Sequence, residues 1–139
     1  MAKPTDEVKR RMGALWYYRR RIDSDLDRLE QLRSIAERVT PTISPTPGGA
    51  GGGREEAWAG IVDLETEILE DLKEVHGLTE EIRYYIDQLD NYQERLVMEM
   101  RYISCMKFEA IADKMNYDIR SVTRLHGSAL QKIAQSWRR

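Results

Sequence analysis

Apolar residues recur every three or four positions in the first part of the chain: Val8, Met12, Leu15, Ile22, Leu26, Leu29, Leu32, Ala36 and Val39. That period is one face of a helix, so the spacing predicts a long amphipathic helix over about 5–39. It is entered near Pro4, with acidic residues in its first turn. A second stripe, Ala57, Ile61, Leu64, Ile68, Leu72, Val75, Ile82, Ile86 and Leu89, predicts another helix over about 55–89. Each stripe runs through more than four heptads, which favours coiled-coil-like packing. A helix cannot bury its stripe alone, so the two are expected to fold back as an antiparallel hairpin spanning 1–90.

Between them lies TPTISPTPGGAGGGRE, with three prolines and five glycines. Proline lacks an amide donor and glycine is entropically costly to order, so residues 40–54 read as a linker. Joining the helix ends across it sets a register in which paired positions sum to ~94, good to one helical turn. Val8 then lies near Ile86, Met12 near Ile82, Trp16 near Leu78, Leu26 near Ile68, and Ala36 near Trp58. Apolar positions off the seam, such as Tyr17, Leu69 and Tyr85, point to a homodimer formed through the hairpin.

From residue 91 to 139 the pattern shortens. NYQERLVMEMRYISC places Leu96, Met100 and Ile103 on one helical face, with Val97 beside it. FEAIADKM follows as a short helix, Asn116-Tyr117 makes a corner, and Asp118 is suited to cap the next helix by accepting from the amides near Ser121. That last helix buries Val122, Leu125, Ala129, Leu130 and Ile133. The fold class is therefore all-α: a long antiparallel hairpin followed by a C-terminal helix-turn-helix, with the small Ala112 where the two short helices cross.

Charge changes the functional picture more by its distribution than by its sum. The net charge is −2, but residues 1–39 carry +3, 40–90 carry −9 and 91–139 carry +4. The acidic second helix suits a basic first helix and is a poor surface for DNA. The last helix carries a basic face instead. Ile119, Arg120, Thr123 and Arg124 lie near its N-terminus, where a reading helix contacts base edges. An arginine fork matches paired guanine acceptors, and a threonine suits a thymine methyl. Lys107, Lys114 and Lys132 are the candidate phosphate contacts.

Other chemistry finds little support. Cys105 is the one cysteine, and His76 and His126 are the only histidines. No disulfide framework or four-ligand zinc site follows from that set, so no metal or cofactor is expected. Glu65, Glu67, Glu70, Asp71 and Glu74 scatter over the outside of a helix. Trp16-Tyr17-Tyr18-Arg19-Arg20-Arg21 points all round one, its aromatics packing on Leu78, Ile82 and Tyr85. There is no phosphate loop and no nucleophile–base pair, so the chain reads as a binding protein and not an enzyme. No apolar run approaches the ~20 residues that span a bilayer, and MAKPTDEVKRR has no export core. The expectation is a cytoplasmic protein with no membrane partner.

Residues 91–133 resemble region 4 of the sigma-70 factors. Phe108-Glu109-Ala110-Ile111-Ala112 and Ala129-Leu130-Gln131-Lys132-Ile133 match that family's short helix and the end of its reading helix without a gap. Ala110 replaces an acidic residue, and His126-Gly127 interrupts a stretch usually richer in charge. The resemblance implies that Ile119, Arg120, Thr123 and Arg124 fall where region 4 reads promoter DNA. The chain outside the linker is also similar to small phage and prophage proteins of the ArpU/RinA late-operon type, through Arg101-Tyr102-Ile103 and Leu125-His126-Gly127-Ser128-Ala129-Leu130. What this implies is a phage-encoded DNA-binding transcription regulator in a bacterial host cell, with duplex DNA and bacterial RNA polymerase as partners. Two other readings stay open: the DNA-recognition (small) subunit of a phage terminase, and a protein-interaction module that binds polymerase or a host factor without DNA.

Overall fold

A computed structural model describes residues 3–39 and 51–137, without the side chains at 39, 51, 52 and 54. The described residues are helical almost throughout and contain no strand. Helix α1 spans Pro4–Val39 and α2 spans Gly51–Asp87. Then come α3 (Tyr92–Met98), a π-helical turn (Glu99–Ile103), α4 (Phe108–Met115) and α5 (Ile119–Ser136). The expected linker lies outside the described residues up to position 50. From Gly51 onward the chain is already α2, four residues earlier than the composition suggested. Glycine costs about 1 kcal/mol against alanine in a helix; the long buried seam that follows outweighs it.

The chain divides into two compact units, Tyr18–Glu74 and the pair of segments Met1–Tyr17 with Val75–Arg139. In the Tyr18–Glu74 unit, α1 and α2 pair antiparallel. Ile22, Leu29 and Ala36 are buried on α1, and Ala57, Ile61, Leu64 and Ile68 on α2. Arg21 Nε lies 3.0 Å from Asp71 Oδ2, and Arg33 Nη2 lies 3.2 Å from Glu65 Oε2. Arg21 and Asp71 sum to 92, within the turn allowed around 94. Two expectations are corrected here. Leu26 and Trp58 are about half exposed, as is Leu72, so they do not sit in the seam. Asp71 does: it is buried where the acidic residues of α2 were expected to face solvent. The α2 seam advances by alternating fours and threes through 57, 61, 64 and 68, and the next step lands on Asp71 and not on Leu72.

The other unit holds the fold's largest core. Val8, Met12 and Leu15 of α1 and Leu78, Ile82 and Ile86 of α2 are almost wholly buried, as are Val97, Met98, Ile111, Val122 and Ile133. Arg11 reaches Glu81 at 2.9 Å, a pair that again sums to 92. Residues 91–139 thus share a unit with one end of α1 and α2, and do not stand apart at residue 90. Tyr85, expected off the seam, is buried and its ring lies 4.7 Å from that of Trp137, whereas Tyr17 and Leu69 are exposed.

The third helix is not uniform. After Met98 it widens into the π turn, closed by Ser104 N–H donating to the Glu99 carbonyl at 3.0 Å. The extra residue per turn swings Tyr102 and Ile103 inward, while Leu96 and Met100 are only partly buried. Such an insertion is common at functional or strained points of a helix. Cys105, with φ of 54°, then reverses the chain. At the next corner Asn116 takes φ of 58°, and the Tyr117 amide donates to the Ala112 carbonyl at 3.0 Å. Asparagine tolerates this left-handed geometry better than most residues, and it ends α4 in a Schellman-type turn.

Candidate nucleic-acid interface

The short core beneath α4 and α5 consists of Val97, Ile111, Ala112 and Val122, with Met115, Tyr117 and Leu125 packed against it. Ala112 is buried at the crossing, as its size predicted. Asp118 caps α5: its Oδ1 accepts from the Ser121 amide at 2.8 Å. The Ser121 hydrogen bonds, helped by the Arg124 charge, hold the Asp118 carboxyl below the usual range. It is therefore an anion beside the helix's positive end, where it is stabilising.

With Val122, His126, Ala129, Leu130 and Ile133 turned inward, the opposite face of α5 is settled by the helical period. Ile119, Arg120, Thr123 and Arg124 all lie on it and are exposed. The Thr123 hydroxyl donates back to the Arg120 carbonyl at 3.0 Å, so its hydrogen is engaged within the helix. Arg124 Nη2 makes a long contact of 3.5 Å with Ser121 Oγ. Gly127 continues the same row, and a Cβ added there would meet nothing within 4 Å.

The three lysines are not equivalent. Lys114 is exposed in the last turn of α4, two residues before the corner. Lys107 is exposed at the opposite end of α4, where it is the N-cap residue without a side-chain cap. Lys132 is turned to the other side: its Nζ lies 2.9 Å from Oε1 and 3.2 Å from Oε2 of Glu94. Glu94 is 3% exposed and also accepts from the Ser128 hydroxyl at 2.7 Å. A buried carboxylate needs that compensation, and Lys132, itself half exposed, supplies it in the docking of α5.

Sequence reasoning missed the polar cluster that seats α5. His126 Nε2 and Tyr102 Oη are 2.7 Å apart, and the Phe108 ring meets the imidazole edgewise at 5.0 Å. Burial, reinforced by the charges of Lys9 and Arg101, lowers the His126 pKa to about 4. Burial likewise pushes Tyr102 up to about 12. Both groups are neutral near pH 7. Beside them the Arg101 guanidinium lies between two rings, 4.5 Å from Trp16 and 4.0 Å from Phe108. Trp16 Nε1 donates to the Arg101 carbonyl at 2.8 Å, and Arg101 Nη1 donates to the Met106 carbonyl at 3.1 Å. Trp16 therefore packs on the π turn. The Arg101-Tyr102 and His126-Gly127-Ser128 segments, far apart in sequence, meet in space. One signal was legible: Asn91 three residues before Glu94 marks a helix start, and Asn91 Oδ1 accepts from the Glu94 amide at 3.0 Å.

A family model described as a protein of unknown function, DUF1492, matches residues 42–133. The chain belongs to the DUF1492 family. The match runs from before α2 through most of α5, so both segments of the His126–Tyr102 cluster and the outward row of α5 fall within it. No curated protein and no solved structure matches the chain. Among the described residues of this DUF1492 protein, no group of three or more His, Cys, Asp or Glu is placed to hold a metal ion. No described helix is long and apolar enough to cross a membrane.

Proposed function

We propose that this DUF1492 protein is a DNA-binding transcription regulator of phage or prophage origin. In this reading α4 and α5 form a sigma region 4-like helix-turn-helix that acts in the cytoplasm of a host bacterium. The α5 row would enter the major groove, with Arg120 and Arg124 donating to guanine edges and Lys107 and Lys114 approaching phosphates. The observation that carries it is the division of α5. Its inward face is packed or hydrogen-bonded along its length, while Ile119, Arg120, Thr123 and Arg124 stand exposed at its capped N-terminal end. A face turned away from the core, with two forked cations and an ordered helix start, is what groove reading requires. RNA polymerase is the further partner this reading implies.

The test is selection from random duplex DNA with the purified chain, followed by binding to the enriched site. An enriched motif is expected, and Arg120→Ala and Arg124→Ala should each lose about 1–3 kcal/mol on it. Wild-type binding by both variants would refute the reading face. Absence of any salt-dependent DNA affinity would favour the protein-interaction module.

A further inference from the structure

Helix α2 carries two parallel rows of apolar residues in the Tyr18–Glu74 unit, and α1 covers one of them. The inner row is Ala57, Ile61, Leu64 and Ile68, all buried. One residue further round the helix runs Trp58, Val62, Glu65, Leu69 and Leu72, at spacings of four, three, four and three. Its apolar members are 48%, 58%, 59% and 45% exposed. A heptad row of this length is the pattern that another helix covers, not the scatter of a solvated surface.

The neighbouring edge of α1 joins the same face. Arg33 hydrogen-bonds Glu65, in the middle of the outer row, at 3.2 Å. Leu26 stands one heptad before Arg33, on the same edge, and is 47% exposed. The 92 register sets it level with the stretch between Val62 and Leu69. The opposite face is different in kind: Arg28, Glu56, Asp63 and Glu67 line a groove there, floored by Leu32, Gly60 and Leu64. One side of this helix pair is charged; on the other the α2 row is apolar around Glu65, with Glu30, Arg33 and Glu37 exposed along the α1 edge.

We infer that the apolar face is a homotypic interface that packs against the same face of a second copy of this chain. Three features select that occupant. The heptad spacing calls for helices across the face. Arg33 and Glu65 stand side by side near the middle of the face, so a two-fold rotation sets Arg33 of each copy toward Glu65 of the other. The half-exposed side chains also amount to a few hundred Å2 of apolar surface per copy, the core of an interface of ordinary size. The inference does not depend on DNA binding.

Sedimentation of the full chain at tens of micromolar tests it, with helicity followed by circular dichroism. Wild type should sediment as two copies. The double variant Val62→Glu, Leu69→Glu should sediment as one copy with its helicity kept, since both positions are exposed. Asp63→Lys, on the charged face, should keep the wild-type mass. A monomeric wild type, a double variant that still pairs, or an assembly of eight or more copies would each overturn the proposal. If the double variant loses helicity, Glu65→Arg on wild-type background decides. Placing two arginines per copy on the face should shift the chain toward one copy, and unchanged pairing would refute the interface.

Discussion

Lowering the pH should loosen the seating of α5 through one residue, His126. The imidazole is buried against Tyr102 and Phe108, with its pKa lowered to about 4. In the unfolded chain a histidine titrates near 6.5. Between these values the unfolded state binds the extra proton and the folded state does not. Its contribution is therefore fully present above about pH 6.5 and is lost as the pH falls toward 4. Linkage over that interval gives roughly 2 kcal/mol lost between pH 7.5 and pH 5, at about 1.4 kcal/mol per pH unit. The carboxylates also titrate toward the acid end, so the measurement is a difference. Wild type and His126→Gln are unfolded in urea at each pH, in a Trp58→Phe background. Fluorescence then reports Trp16 and Trp137, both in the unit that contains His126. The glutamine variant should be less stable at pH 7.5 and nearly level with wild type at pH 5. A stability gap that stays constant to within about 0.5 kcal/mol across that range would refute the assignment of a neutral, buried imidazole.

Two further substitutions separate folding roles from binding roles. Lys132→Met should cost stability, about 1–3 kcal/mol, because Glu94 is left buried with Ser128 as its remaining partner. It should leave the salt dependence of DNA binding unchanged, whereas Lys114→Ala should reduce that slope by about one; the reverse outcome would return Lys132 to the phosphate contacts. Gly127→Ala should raise the stability by about 0.5–1 kcal/mol, since the added methyl meets nothing and glycine is a poor helix former. A drop in DNA affinity with that gain would place the nucleic acid against the helix backbone at Gly127, and equal affinity would place it nearer the N-terminus.

The helices were legible because their apolar spacing is long and regular. The Asp118 cap and the small Ala112 at the crossing were legible because each follows from one residue's chemistry. The misassigned seam residues have a common cause. Around Leu26 and Leu72 the neighbouring seam position is polar, Asp25 or Asp71, so hydrophobicity alone draws the stripe one residue too far. Asp25 Oδ2 is buried without a hydrogen-bond partner among the described residues, which no reading of apolar periodicity anticipates. The π turn was hidden for a related reason. An inserted residue leaves composition unchanged and shifts only the phase, and its consequence (Tyr102 turned inward) shows only against His126.

That contact also explains why the proposed reading face has a defined direction. Apolar packing selects which stripe of a helix is buried but tolerates small rotations about its axis, because contacts between methyl groups such as those of Val122, Leu125 and Ile133 have little directionality. Hydrogen bonds are directional. Along α5, His126 is tied to Tyr102, and both Ser128 and Lys132 to Glu94, within seven residues. A rotation of one residue position, about 100°, would break all three and leave the Glu94 carboxylate buried and uncompensated. The same rotation would carry Arg120 and Arg124 off the outward row. The polar residues of α5's inner face thus fix where its outer face points, a division of labour between residues 126–132 and 119–124 of the same helix.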